Sequence, residues 1–182
     1  MPDYLDSTHA GPDGTEDNIG GIVTEAYYAP LSYFDDIQDT AKHLGNFATY
    51  DELANVSADH TFLTGKGFHK IYNTQNTGTI EDTMQGERDG YSMKSVAKFF
   101  YPGSKDAFLG FLRKAKNDRF IWLFVMSDLK VRQFGTRLIP AYFKAEKGGT
   151  SNLEGGRRGY ECMVETMSSG PMLYTGAITF HP

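Results

Sequence analysis

The chain has one cysteine, Cys162, in 182 residues. One thiol excludes an internal disulfide and a thiolate metal cluster, so the fold has to rest on burial and hydrogen bonds, which fits a reducing compartment. Long apolar runs are lacking too. The longest, Phe120–Met126 (FIWLFVM), has seven residues, where a membrane-spanning helix needs roughly 20. The first residues are acidic, whereas a signal peptide is basic and then apolar. The sequence therefore predicts a soluble chain without a membrane span, not exported by a classical signal. Cations are scarce at the start: residues 1–60 carry 12 acidic residues against Lys42 alone, whereas residues 61–182 carry 11 against 17 basic ones. The two parts are thus −11 and +6, and the whole is −5. A net acidic chain with no long Lys/Arg run is a poor candidate for gripping duplex nucleic acid, because that affinity comes mainly from cations displacing condensed counterions. The opposite signs leave two readings of the acidic segment. It docks on the basic surface of a neighbouring copy, or it is solvated and folded on its own domain.

What is present is enough for one ordinary domain with a core: 40% hydrophobic and 14% aromatic residues in 20.3 kDa. Residues 1–20 are the exception. They hold Asp, Gly, Pro, Ser and Thr with hardly an apolar residue, so an arm that does not fold alone is expected before a single domain over 21–182. IVTEAYYA (Ile22–Ala29), closed by Pro30, reads as a first strand. From Leu31 to Leu63 no clean period survives, and a long loop with a short helical turn or two is expected. Gly67–Asn73 and Thr79–Gln85 read as strands around a TQNTG turn. On the second of them Thr79, Glu81, Thr83 and Gln85 share one face, and Ile80 and Met84 the other. The loop Gly86–Gly90 (GERDG) leads into a strand over Tyr91–Tyr101.

Pro102-Gly103 ends that strand. Ser104 then stands where a helix N-cap belongs, with Asp106 in the first turn, Phe108, Phe111, Leu112 and Ala115 at helical spacing, and Arg113, Lys114 and Lys116 at the end. A helix is predicted over 105–116. Phe120–Met126 is apolar on both faces, as a covered central strand is, so Trp122 and Phe124 join Phe108, Phe111 and Leu112 as the expected core. Lys130–Arg137, Ile139–Lys144, Arg158–Thr166 and Leu173–Phe180 complete about eight strands, with a glycine-rich loop over Lys147–Gly156. The fold class expected is mainly β, a sandwich or barrel with one short helix.

Catalytic and metal signatures are sparse. His9, His43, His60, His69 and His181 show no close ligand spacing. GGTSNLEGG lacks the Gly-Lys-Ser/Thr ending and the following helix of a phosphate loop. Cys162 has no histidine near it in sequence and lies mid-strand, as a buried small hydrophobe does. Glu81, Asp82, Glu87 and Asp89 offer the carboxylates of an acid/base pair, but their place on a wet strand and a loop tip fits a solvated face. No enzyme activity, cofactor or metal is expected.

The order of elements resembles phage tail-tube proteins and their relatives in injection machines. The resemblance spans residues 20–180. It rests on IVTEAYYA, on TGTIEDTMQGERDGYSMKSVAKFFYPG, on AFLGFLRKAKND leading into RFIWLFVMSD, and on the closing GPMLYTGAITF. It implies a virion structural protein, assembled in the host cytoplasm. Six copies would form a ring around a continuous inner barrel, and the rings would stack into a tube that conducts DNA without binding it specifically. Thr79, Glu81, Thr83, Gln85 and Glu87 would then line an acidic lumen, with the basic Arg88, Lys94 and Lys98 nearby to pair with acids of the next subunit. Tyr27, Tyr28, Asp35, Asp36 and Arg88 would lie between subunits, and other tail or connector proteins would be neighbours. A terminator or connector ring of the same fold is the sibling reading. Two other classes stay open: a carbohydrate-binding β-sandwich using Tyr27, Tyr28, Tyr33 and Tyr50 as stacking faces, and an enzyme built on the acidic cluster.

Overall fold

The computed structural model describes residues 21–40, 49–149 and 158–182. The arm expected over 1–20, the middle of the long loop and most of the glycine-rich loop lie outside the described residues. The chain is mainly β. In chain order its elements are β1 (Ile22–Pro30), a 3-10 turn (Leu31–Tyr33), β2 (Phe34–Asp36), α1 (Asp51–Ala54), β3 (Asn55–Val56), β4 (Thr61–Phe62), β5 (His69–Tyr72), β6 (Thr79–Gln85), β7 (Ser92–Pro102), α2 (Asp106–Ala115), β8 (Phe120–Met126), β9 (Val131–Phe134), β10 (Tyr142–Gly149), β11 (Gly159–Ser168) and β12 (Met172–Tyr174).

The strands form a six-stranded sheet in the order β3-β12-β9-β8-β1-β5, a four-stranded sheet in the order β10-β11-β7-β6, and the small pair β2-β4. β8 is the axis of the molecule. Its side chains alternate across the sheet, so Phe120, Trp122 and Phe124 enter one buried cluster while Ile121 and Leu123 enter another. The first cluster lies between the two large sheets. Ile22, Ala26 and Phe134 of the six-stranded sheet meet Ala97, Phe99, Phe143, Cys162 and Val164 of the four-stranded one. α2 closes one end of it, since Phe108 and Ala115 are buried and Phe111 and Leu112 are half-buried against the same cluster. Phe108 stacks on Tyr101 with ring centroids 3.7 Å apart.

The second cluster corrects one expectation. The stretch 31–63 is not simply loop: Phe34, Ile37 and Val56 are buried with Phe68, Met172 and Tyr174 over the opposite face of β8. Strands of two or three residues are too short to show a period, so this cover left no periodic trace. It also raises the strand count among the described residues to twelve; the 3-10 turn and the four-residue α1 are the short helical turns expected in this stretch. Other boundaries move less. The N-cap of α2 is Lys105, with no side-chain capping bond, and Ser104 falls one residue too early to cap it. The strand expected over Leu173–Phe180 is ordered as β12 only at its start, with Phe180 returning as an isolated bridge to Phe68. β10 takes in Lys147, Gly148 and Gly149, which had been read as loop.

Candidate assembly surfaces

The four-stranded sheet has one covered face and one free face, and its register decides which residues share each. Thr79 stands opposite Lys98, Glu81 opposite Val96, Thr83 opposite Lys94 and Gln85 opposite Ser92. Lys98 is in turn opposite Met163, and Tyr142 opposite Glu165. The residues expected to face a lumen from β6 therefore lie together on the face away from the core, and all four are exposed. The same face also carries Lys94, Lys98, Lys144 and Lys147 against Glu81, Glu161 and Glu165, with Glu146 in the bulge beside them. Lys94 is 2.9 Å from Glu165. Register thus places lysines from β7 and β10 among the acids, and this face is balanced in charge rather than purely acidic. Glu87 is not on the strand. It lies in the turn Gly86–Gly90, where Gly86 has φ +121° and a side chain would strike the carbonyl of Gly90. Arg88 is exposed in the same turn.

On the covered face β6 presents Ile80, Asp82 and Met84. Ile80 packs against the core, but Met84 is 70% exposed. Asp82 accepts from the Ser95 hydroxyl and from Arg132 of β9, so it joins the two sheets. The strand order leaves β6 and β10 as the two edges of the sheet. An edge of seven or eight residues with unpaired N–H and C=O groups is a template for another strand.

The other residues expected at subunit contacts are dispersed. Tyr27 and Tyr28 are neighbours on β1 and so point to opposite faces. Tyr28 stacks on Trp122 at 5.1 Å and meets Phe111 at a tilt, 4.9 Å between centroids, and burial, with Tyr33 beside it, pushes the pKa of its hydroxyl up to about 12. Tyr27 meets the edge of Phe180 and donates to Glu25. Asp35 and Asp36 are exposed on β2, where Arg137 donates to the Asp35 carbonyl at 2.6 Å and stands 3.7 Å from the Asp36 carboxylate.

Of the five histidines without ligand spacing, His60 takes a core position, 4% exposed and stacked on Tyr174. Its Nδ1 accepts the Gln38 N–H at 3.0 Å, which makes Nε2 the protonated nitrogen that donates to Gln133 Oε1 at 3.1 Å. Burial lowers its pKa to about 4 despite Gln133, Asp36 and Asp59, which favour the charged form. The only sequence signal for it is a lone histidine in an acidic stretch.

The groups considered for chemistry do not converge. Glu81 and Asp82 point to opposite faces of β6, and Glu87 and Asp89 sit in the turn. Cys162 is buried, and desolvation pushes its thiol up to about 12, away from the thiolate that a nucleophile needs. Among the described residues, no group of three or more His, Cys, Asp and Glu is placed to hold a metal, and no helix is long and apolar enough to cross a membrane. A cleft of about 560 Å³ opens where the ends of β6, β7, β10 and β11 meet, lined by Thr79, Lys98, Phe100, Glu146 and Glu161 among others. Compared with protein-family models, curated proteins and solved structures, the chain matches none.

Proposed function

We propose that this protein is a structural subunit that joins copies of itself edge to edge into a closed ring of the tail-tube kind. The observation that carries this reading is the four-stranded sheet, which is antiparallel throughout in the order β10-β11-β7-β6. Its two edge strands run in opposite directions. When β6 of one copy lies beside β10 of the next, the new pair is also antiparallel and the pattern continues unbroken from copy to copy. Repeated pairing of this head-to-tail type closes into a ring when the rotation allows, and closure removes both open edges. Six copies would contribute about 24 strands to one barrel, wide enough for an aqueous bore. The covered face of each sheet is held by its own core, so the free face lines the bore with Thr79, Glu81, Thr83, Gln85 and the paired lysines and glutamates. A polar, charge-balanced wall offers no run of cations for phosphates to condense on, which lets DNA pass without being held.

The test is the mass of the purified full chain by light scattering, with negative-stain microscopy of the same sample. Rings of six copies, alone or stacked, are expected. A protein that stays monomeric at high concentration contradicts the reading.

A further inference from the structure

The turn between β9 and β10 presents two large aliphatic side chains to solvent: Leu138 is 88% and Ile139 45% exposed. This is not a loose loop. Thr136 N–H donates to the Ile139 carbonyl at 2.8 Å, and Ile139 N–H returns to Thr136 Oγ1 at 3.1 Å. Gln133 holds the Gly135 carbonyl from below at 3.1 Å, and Arg137 ties the turn to the Asp35 carbonyl. Gly135 has φ +93°, and a side chain there would strike Ala141 N and the Phe120 carbonyl. A backbone fixed on so many sides has already lost the freedom that binding would otherwise take from it. Exposed aliphatic groups on such a frame are what an anchor residue looks like before it is buried.

The same chain carries a matching recess. Beside the C-terminal end of α2 a cleft of about 80 Å³ is lined mainly by Tyr28, Pro30, Phe111, Ala115 and Phe120, with Lys114 on its rim. A cavity of roughly 150 Å³ holds a benzene ring, so this one has room for a branched four-carbon group and little more. Charge matches as well. The knob is flanked by exposed Asp35 and Asp36, partly offset by Arg137. Lys66 lies 4.8 Å from the ring of Tyr33, which lines the cleft together with His69 and Lys114, so two lysines stand at its mouth. The acid in the lining, Asp118, has its Oδ1 engaged by the Arg119 N–H.

We propose that Leu138 of one copy seats in the aromatic cleft of a second copy, with Ile139 packing at its mouth and Asp35 and Asp36 facing Lys66 and Lys114. Size, apolar character and rim charge select a second copy of this chain as the occupant. The contact uses neither β6 nor β10, so it goes beyond edge pairing and does not rest on it.

Two singly substituted full-length chains test it: Leu138→Cys and Lys114→Cys, both at exposed positions. Cys162 is buried and does not compete. Under mild oxidation the mixture is expected to form a covalent dimer at least about tenfold faster than either chain alone, and Leu138→Asp is expected to weaken self-association by about tenfold or more. A mixture that cross-links no faster than its separate components overturns the contact. If rings still form in that case, edge pairing stands without the knob. If the mixture cross-links while no ring forms, the knob stands and edge pairing falls.

Discussion

Arg132 on β9 and Asp82 on β6 form the one described ion pair that bridges the two large sheets, with Nη2 3.0 Å from each carboxylate oxygen. The Arg132 side chain is largely buried, 11% exposed; that of Asp82 is 24% exposed on an otherwise exposed edge-strand residue, and Ser95 donates to the same carboxylate. Arg132 Nε is buried with no hydrogen-bond partner. The pair pins the β6–β7 hairpin, whose free face the proposed bore needs, to the rest of the sandwich. Removing Asp82 alone strands a guanidinium in a poorly solvated place. Asp82→Ala is expected to destabilise the fold by about 2 to 4 kcal/mol, read by urea denaturation. Adding Arg132→Leu should recover part of that loss, and a strictly additive double variant contradicts the coupling.

The pH dependence of stability follows from His60. Its folded pKa is lowered to about 4 from an ordinary 6.5, so the unfolded chain takes up the proton first as pH falls. The contribution of the neutral ring is complete above pH 6.5, is lost progressively between 6.5 and about 4, and does not change further below. The loss is on the order of 3 kcal/mol. Comparing the chain with His60→Gln by urea titration from pH 7.5 to 4 isolates it. The gap between the two curves should narrow on acidification, and a constant gap rules the account out.

Trp122 is fully buried, ringed by Tyr28, Phe124 and Phe143, and its Nε1 has no partner. Trp122→Ala is expected to cost about 3 to 5 kcal/mol. Trp122→Phe keeps most of the ring contacts and removes the unsatisfied donor, so it should cost clearly less. Thermal denaturation of the two variants checks the order, and equal losses would place the tryptophan's contribution elsewhere.

The free sheet face is balanced in charge, so a single reversal there has a visible sign. Glu81→Lys should leave the fold intact, because the residue is exposed on an edge strand. In assembled particles it should cause retention of short duplex DNA that the unaltered protein lets pass, and this retention should weaken as salt rises. Filter binding at two ionic strengths reads it. Unchanged DNA retention removes β6 from the lining.

Long elements with a sustained pattern were legible in the sequence. Thr79–Gln85 and Phe120–Met126 have the expected ends, because turn residues bound the first and apolar side chains fill the second. α2 differs from 105–116 by a residue at each end. What escaped was non-local. β3 pairs in parallel with β12, more than a hundred residues away, and the second core cluster draws single residues from many short elements. The alternation on β6 was visible, but the lysines that neutralise its face come from β7 and β10, and only strand register places them there. Ile139 opened an expected strand, and Leu138 fell in the one-residue gap before it. The signal there was a Gly-Thr start and a Pro end around two aliphatics, which is turn chemistry.

Lateral pairing of β6 with β10 is most directly tested by hydrogen exchange on assembled particles and on dissociated subunits. Edge amides of residues 79–85 and 142–149 that point away from their own sheet have no partner strand among the described residues and should exchange fast in the lone chain. Marked protection of both segments on assembly is the predicted result. Assembled particles in which both segments exchange as fast as in the lone subunit would contradict the account.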